Sequence, residues 1–182
     1  MVVKMDSLLT TWKAFEQNVV THSAAHHLMA IANLLSNRGY ARVTDVARAL
    51  GITRGSVSIT LKSLKEKGYV IEDENKFLLL TEKGDRLSHT IQSTRKILIK
   101  FLQDVLQVNP DQAEIDACKV EHLLSEETGK KLLSFLKFLF SNDLRAKAFL
   151  DAYWSYENVC QGLTEECGVC DTECLLQQEE HK

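Results

Sequence analysis

The residues Val43-Thr44-Asp45-Val46-Ala47-Arg48-Ala49-Leu50-Gly51, followed by Thr53-Arg54-Gly55-Ser56-Val57-Ser58, decide the architecture of this 182-residue chain. The first run reads as a short helix capped by Thr44 and stopped by Gly51. A threonine oxygen can accept from the free amides of a first turn, and glycine tolerates the left-handed backbone of a helix end. Thr53 is placed to cap a second helix, 54–67, whose inward side is Val57, Leu61 and Leu64 and which Gly68 stops. Two β-like runs follow, Tyr69-Val70-Ile71 and Phe77-Leu78-Leu79-Leu80, joined by the polar stretch Glu72-Asp73-Glu74-Asn75. Helix, turn, helix and hairpin in that order spell a winged helix-turn-helix.

Helical periodicity continues on both sides of this motif. Leu8, Leu9, Trp12, Phe15 and Val19 mark a helix over 6–20, and Leu28, Ile31, Leu34 and Leu35 mark another over about 23–36, ended by Gly39. Thr81 opens a long helix over 81–107. Asn109-Pro110-Asp111-Gln112 starts the next, with Asn as cap, Pro at the first helical position and Gln placed to complete a capping box. Ser125 caps a helix rich in leucine and phenylalanine, and a last helix spans about 143–159. The expected fold is therefore mainly α: a winged helix-turn-helix DNA-binding domain followed by an all-helical dimerisation domain. The expected division is 1–85 for the N-terminal helices and winged motif, 86–159 for helical dimerisation and metal binding, and 160–182 for a cysteine-rich tail.

Composition supports a folded helical protein. One proline and 8 glycines in 182 residues argue against a loop-rich all-β chain and against disorder. No apolar run reaches the roughly 18 residues a membrane-spanning helix needs, and the N-terminus lacks the pattern of a secretory signal, so a cytoplasmic location is expected. The net charge of −3 conceals a gradient. Residues 38–100 carry 13 Lys and Arg against 7 Asp and Glu, whereas residues 101–182 carry 7 against 16. A basic segment in an acidic chain points to a local polyanion site, and here it coincides with the helix-turn-helix. The expected DNA-facing residues are Thr53, Arg54, Ser56, Ser58, Lys62 and Lys65 on the second helix, with Arg42 before the first helix and Lys76 in the wing. Short hydroxyls and cations at a helix start suit phosphate oxygens and guanine edges.

Arg38-Gly39-Tyr40-Ala41-Arg42-Val43-Thr44-Asp45-Val46-Ala47-Arg48-Ala49-Leu50 resembles the start of the helix-turn-helix in the diphtheria toxin repressor and manganese transport regulator family. Gly55-Ser56-Val57-Ser58 and Leu80-Thr81-Glu82-Lys83-Gly84 continue the likeness, and Ile115-Asp116-Ala117-Cys118-Lys119-Val120-Glu121-His122 resembles the family's metal-ligand helix. The likeness covers roughly residues 23–140. It implies a homodimeric repressor that binds Fe(II) or Mn(II) and then double-stranded operator DNA. It also implies a metal site of Cys118, Glu121 and His122 with a fourth ligand from the preceding domain at His26, or at His27 if the register slips by one. Cys118, Glu121 and His122 stand at i, i+3 and i+4, on one helix face. With an added imidazole they form a mixed N/S/O set suited to Fe(II), Zn(II) or Co(II) more than to Mg(II) or Ca(II). The family's second metal site is not matched, because Arg95 and Ile99 stand in its ligand positions and leave Glu114 alone. An Arg95–Glu114 ion pair is the expected substitute.

Cys160, Cys167, Cys170 and Cys174 lie within 15 residues. Four thiolates can close a tetrahedral zinc site or hold a [4Fe–4S] cluster. The single CxxC, flanked at spacings of six and three residues, favours the cluster, and the segment is similar to the compact cluster loop of the endonuclease III glycosylases, whose last spacing is longer. A thiol–disulfide switch comes third. No nucleophile–base pair or glycine-rich phosphate loop stands in a credible context, so an enzyme is not expected. The leading expectation is a metal- or iron-responsive, DNA-binding regulator, most simply a repressor, with a [4Fe–4S] cluster on the tail and Zn2+, Fe2+ or Mn2+ as the alternatives. The rivals are a winged-helix Fe–S interaction module serving iron transport or maturation, and a Zn- or Mn-responsive repressor with a structural zinc clip.

Overall fold

The computed structural model describes residues 20–156. The expected helix over 6–20, apart from Val20, and the four tail cysteines lie outside that range. In order the elements are α1 (His22–Arg38), α2 (Val43–Leu50), α3 (Arg54–Glu66), β1 (Val70–Glu72), β2 (Leu78–Leu80), α4 (Glu82–Lys100), a π-helical segment (Phe101–Val105), α5 (Pro110–Val120), α6 (Glu126–Leu139) and α7 (Leu144–Trp154). They fall into two compact units that divide between Leu136 and Lys137.

In the first unit, helices α1, α2 and α3 enclose one apolar core. Ala25, Leu28 and Ile31 come from α1, Val46 from α2, and Val57, Leu61 and Leu64 from α3, all buried. These positions recur at three- and four-residue spacing, so each helix turns one stripe inward. The hairpin strands are antiparallel, pairing Val70 with Leu80 and Glu72 with Leu78, and close the core with Val70 and Leu78. Local chemistry sets most boundaries. The Thr21 hydroxyl accepts from the Ala24 amide at 3.3 Å, and Thr53 accepts from Ser56 at 3.1 Å. Thr81 accepts from Gly84 at 3.1 Å, and Ser125 accepts from Thr128 at 3.1 Å. Gly39 and Gly51 end α1 and α2 at φ 77° and 66°, values open to glycine at little cost.

Two expectations are corrected. Thr44 is not a cap: α2 begins two residues earlier, behind Arg42, which makes no side-chain cap bond. The chain stays extended through Arg42 (φ −125°, ψ 161°), with the Ala41 carbonyl accepting from the Leu78 amide at 2.8 Å. The helix over 81–107 is not uniform. It ends at Lys100 and widens into the π turn, with the Leu106 amide bonded to the Phe101 carbonyl and Gln107 left-handed at φ 56°. The wide turn breaks the regular ladder and releases the chain toward α5. Asn109 does cap α5, by accepting from Asp111 at 3.0 Å.

The second unit contains α7, started by Asp143, whose carboxylate accepts from the Arg145 amide at 2.8 Å. Ala146 and Leu150 are its buried residues. The helix expected over 143–159 closes at Trp154. No helix among the described residues is long and apolar enough to cross a membrane.

Candidate metal centre

The centre forms where the first turns of α1 meet the C-terminal end of α5. His26 lies on the half-buried side of α1, and its Nε2 is 3.2 Å from Cys118 Sγ. These residues are 92 positions apart in sequence. His27, the alternative register, is buried in the core and bonds the Ser23 carbonyl through Nδ1 at 2.7 Å. Geometry therefore puts His26, and not His27, beside the cysteine.

Glu121 and His122 complete the expected group just past the end of α5. The Glu121 side chain is 0% exposed. Its Oε2 accepts from Arg95 at 2.9 Å, while its Oε1 is buried without a hydrogen-bond partner and lies 3.7 Å from His26 Nε2. His122 Nδ1 is likewise buried without a partner. Buried polar atoms are nearly always satisfied, and two orphaned lone-pair positions beside a thiol and an imidazole fit a bound cation. Burial, then the neighbouring His22, holds the His26 pKa below the ordinary histidine value, and burial does the same for His122. Both rings are therefore neutral near pH 7, with a lone pair to offer a cation.

Arg95 on α4 forms the expected ion pair with Glu114, at 2.7 Å, and also holds Glu121. Burial pulls its pKa down, but the bonds to Glu121, Glu114 and Cys118 outweigh that and keep it above the ordinary arginine value. One fixed cation thus bridges two carboxylates where Ile99 can supply no ligand.

His22 was absent from the sequence-derived set. Its ring lies 4.5 Å from that of His26 and 5.2 Å from that of His122, and its Nε2 is 3.9 Å from Cys118 Sγ. The i, i+4 spacing of His22 and His26 was a visible signal, but only the crossing of α1 and α5 gives it meaning.

The expected DNA-facing residues divide into two groups. Thr53, Arg54, Ser56, Ser58 and Lys62 lie exposed on or beside α3. Thr53 and Ser56 share a hydroxyl bond of 2.9 Å, and the Ser58 hydroxyl donates back to the Arg54 carbonyl at 2.9 Å. Lys65 and Lys76 instead converge on Glu72 in the wing, and the Lys65 hydrogen bond holds the Glu72 carboxyl below the usual range. Arg42 stacks its guanidinium over Phe77, 4.4 Å from the ring centre. Ile59, 76% exposed in mid-helix, was not anticipated.

The chain is 30% identical over 122 residues to the HTH-type transcriptional regulator MntR of Lysinibacillus sphaericus, a stretch covering 67% of this chain and 87% of that protein. It is 27% identical over 129 residues to MntR of Bacillus subtilis, covering 71% and 90%. The chain belongs to the diphtheria toxin repressor and manganese transport regulator family. Family members are dimeric DNA-binding regulators, not enzymes. Residues 81–143 match the iron dependent repressor metal binding and dimerisation domain, and residues 21–76 match the MarR family. The fold agrees with that of solved family structures. The manganese regulator SloR superposes with a TM-score of 0.57 at 24% identity, over 63% of this chain and 53% of that one. IdeR of T. acidophilum gives 0.53 at 23%, over 64% and 54%. The chain thus spans about half the length of these solved chains.

Proposed function

We propose that this chain is a cytoplasmic, homodimeric repressor whose grip on operator DNA depends on a divalent cation held by His26, Cys118, Glu121 and His122. The observation that carries the reading is the 3.2 Å approach of His26 to Cys118 beside the buried, unpartnered Glu121 Oε1. The donor set fits a transition-metal cation, which would supply a bond linking α1 to α5. SloR, which shares the fold, is a manganese regulator, and Mn(II), Fe(II) and Zn(II) are all candidates. Because α1 shares its core with α3, a tie at the centre constrains the helix that faces DNA. Helices α5 and α6 and the turn between them present exposed Ile115, Leu123 and Leu133, which suit the dimer contact. Residues 1–85 would read DNA, 86–159 bind metal and dimerise, and 160–182 add a thiol site.

The decisive test is an electrophoretic shift assay on the chain's own upstream DNA, with and without Mn(II), Fe(II) and Zn(II). A specific, salt-sensitive complex should form only with metal. Removing the charge of Arg54 or Lys62 by alanine should weaken that complex and lower its salt slope by about one for each phosphate no longer neutralised. Binding that ignores metal would overturn the reading.

The tail adds a second proposal, a [4Fe–4S] cluster on Cys160, Cys167, Cys170 and Cys174, with a zinc clip as its rival. It rests on thiol number and spacing alone. Protein purified without oxygen should be brown, with a broad band near ~400 nm and iron equal to sulfide. A colourless tail carrying about one zinc would make it a clip instead.

A further inference from the structure

We propose that His22 is an additional ligand of this centre, and that with it the site selects a thiophilic, imidazole-seeking divalent cation of the zinc or cobalt type over manganese. The inference rests on the metal centre proposed above and deepens it.

Thr21 caps α1 and so fixes the turn that carries His22. Four residues on, His26 lies on the same helix face. The ligand atoms of His22, His26 and Cys118 all lie within 4.8 Å of one another. Bond lengths of about 2.0–2.1 Å to nitrogen and 2.3 Å to sulfur, at tetrahedral angles, require N···S separations of about 3.5 Å. The observed distances from Cys118 Sγ, 3.2 Å to His26 and 3.9 Å to His22, bracket that value. Each distance to the sulfur is thus within about 0.5 Å of the value that a shared ion requires. Beside this triad, Glu121 Oε1 is buried, unpartnered and 3.7 Å from His26 Nε2, and offers an oxygen donor.

The selectivity follows from the donors. Arg95 occupies Glu121 Oε2, so this carboxylate can offer one oxygen and not two. Glu114 is tied to the same guanidinium. The site then offers the imidazoles of His22, His26 and His122, one thiolate and a single oxygen. Manganese favours oxygen-rich, six-coordinate surroundings, whereas zinc and cobalt accept four-coordinate N/S sets and stand above manganese in intrinsic affinity.

The test is a titration of the full chain with Co(II), Zn(II) and Mn(II) without oxygen. The Co(II) spectrum of wild type minus that of Cys118→Ser isolates this centre from the tail thiols. His22→Asn should lower Co(II) and Zn(II) affinity at least tenfold and change the cobalt d–d envelope, while Mn(II) affinity moves less than about twofold. His22→Asp, which returns an oxygen donor, should shift preference toward Mn(II). Both variants change an exposed residue of a first helical turn, and far-ultraviolet circular dichroism confirms their helicity. An unchanged affinity and spectrum in His22→Asn, with Cys118→Ser abolishing the signal, overturns the role of His22 alone. A wild-type spectrum identical to that of Cys118→Ser, leaving no difference signal, overturns the centre itself. Manganese bound as tightly as zinc overturns the selectivity.

Discussion

Alanine at Gly84 will destabilise the protein by about 3 kcal/mol and detach the wing from α4, although it adds only one methyl group. A Cβ at this position would fall 2.0 Å from the Tyr69 carbonyl oxygen and 2.9 Å from its carbon. Both are backbone atoms at the entrance to β1, so no side chain can swing away. The helix start is also bonded to the same place. The Thr81 amide donates to Tyr69 O at 3.0 Å, and its hydroxyl donates to Gly68 O at 2.7 Å. Moving α4 outward to admit the methyl group breaks those bonds and unseats Val70 and Leu78 from the core. Thermal unfolding should show a midpoint lowered by roughly 6–12 °C for a chain of this size, and DNA affinity should fall with it. A midpoint within about 2 °C of wild type would contradict this packing. Gly39, Gly51 and Gly68 differ in kind. Nothing lies within 4 Å of a Cβ there, and the penalty is only that of a positive φ, about 1–2 kcal/mol.

The second large effect is at Arg95. Replacing it by methionine keeps much of the stem but strands the Glu121 carboxylate, whose side chain is 0% exposed. Breaking one side of a buried ion pair costs about 3–5 kcal/mol, because the remaining charge has neither water nor partner. Arg95 is itself partly exposed, so the lower end of that range applies. The loss should be metal-dependent. A cation at Glu121 Oε1 would restore a positive neighbour, so zinc should raise the unfolding midpoint of Arg95→Met by several degrees more than that of wild type. Equal metal-induced shifts in the two proteins would show that Arg95 does not balance the charge of this centre.

Much of the domain that carries the centre was legible beforehand, because its signals are local. Thr53 and Thr81 satisfy amides three residues away, Gly39 and Gly51 end their helices, and the apolar stripe of α3 repeats at helical spacing. The i, i+3, i+4 grouping of Cys118, Glu121 and His122 is likewise a property of one short segment. Failures came where a distant strand intervened. Thr44 has the chemistry of a cap, but pairing of Ala41 with Leu78 keeps the chain extended to Arg42 and starts the helix early. The hairpin also brings Lys65 and Lys76 to Glu72, a pairing between elements that no local pattern shows.

The sequence by itself determined the order of elements, the helix-turn-helix and its wing, and the residue types available for a metal. These follow from side chains acting on their own backbone within a few positions. Only the tertiary structure decided that His26 rather than His27 faces Cys118, that His22 joins them, and that Arg95 takes one oxygen of Glu121 and leaves the other bare. Those choices depend on how α1, α4 and α5 cross. The core buries Ile91 of α4 against α1, and α5 packs on α4, so residues about 90 positions apart meet through contacts that no periodicity within a segment encodes.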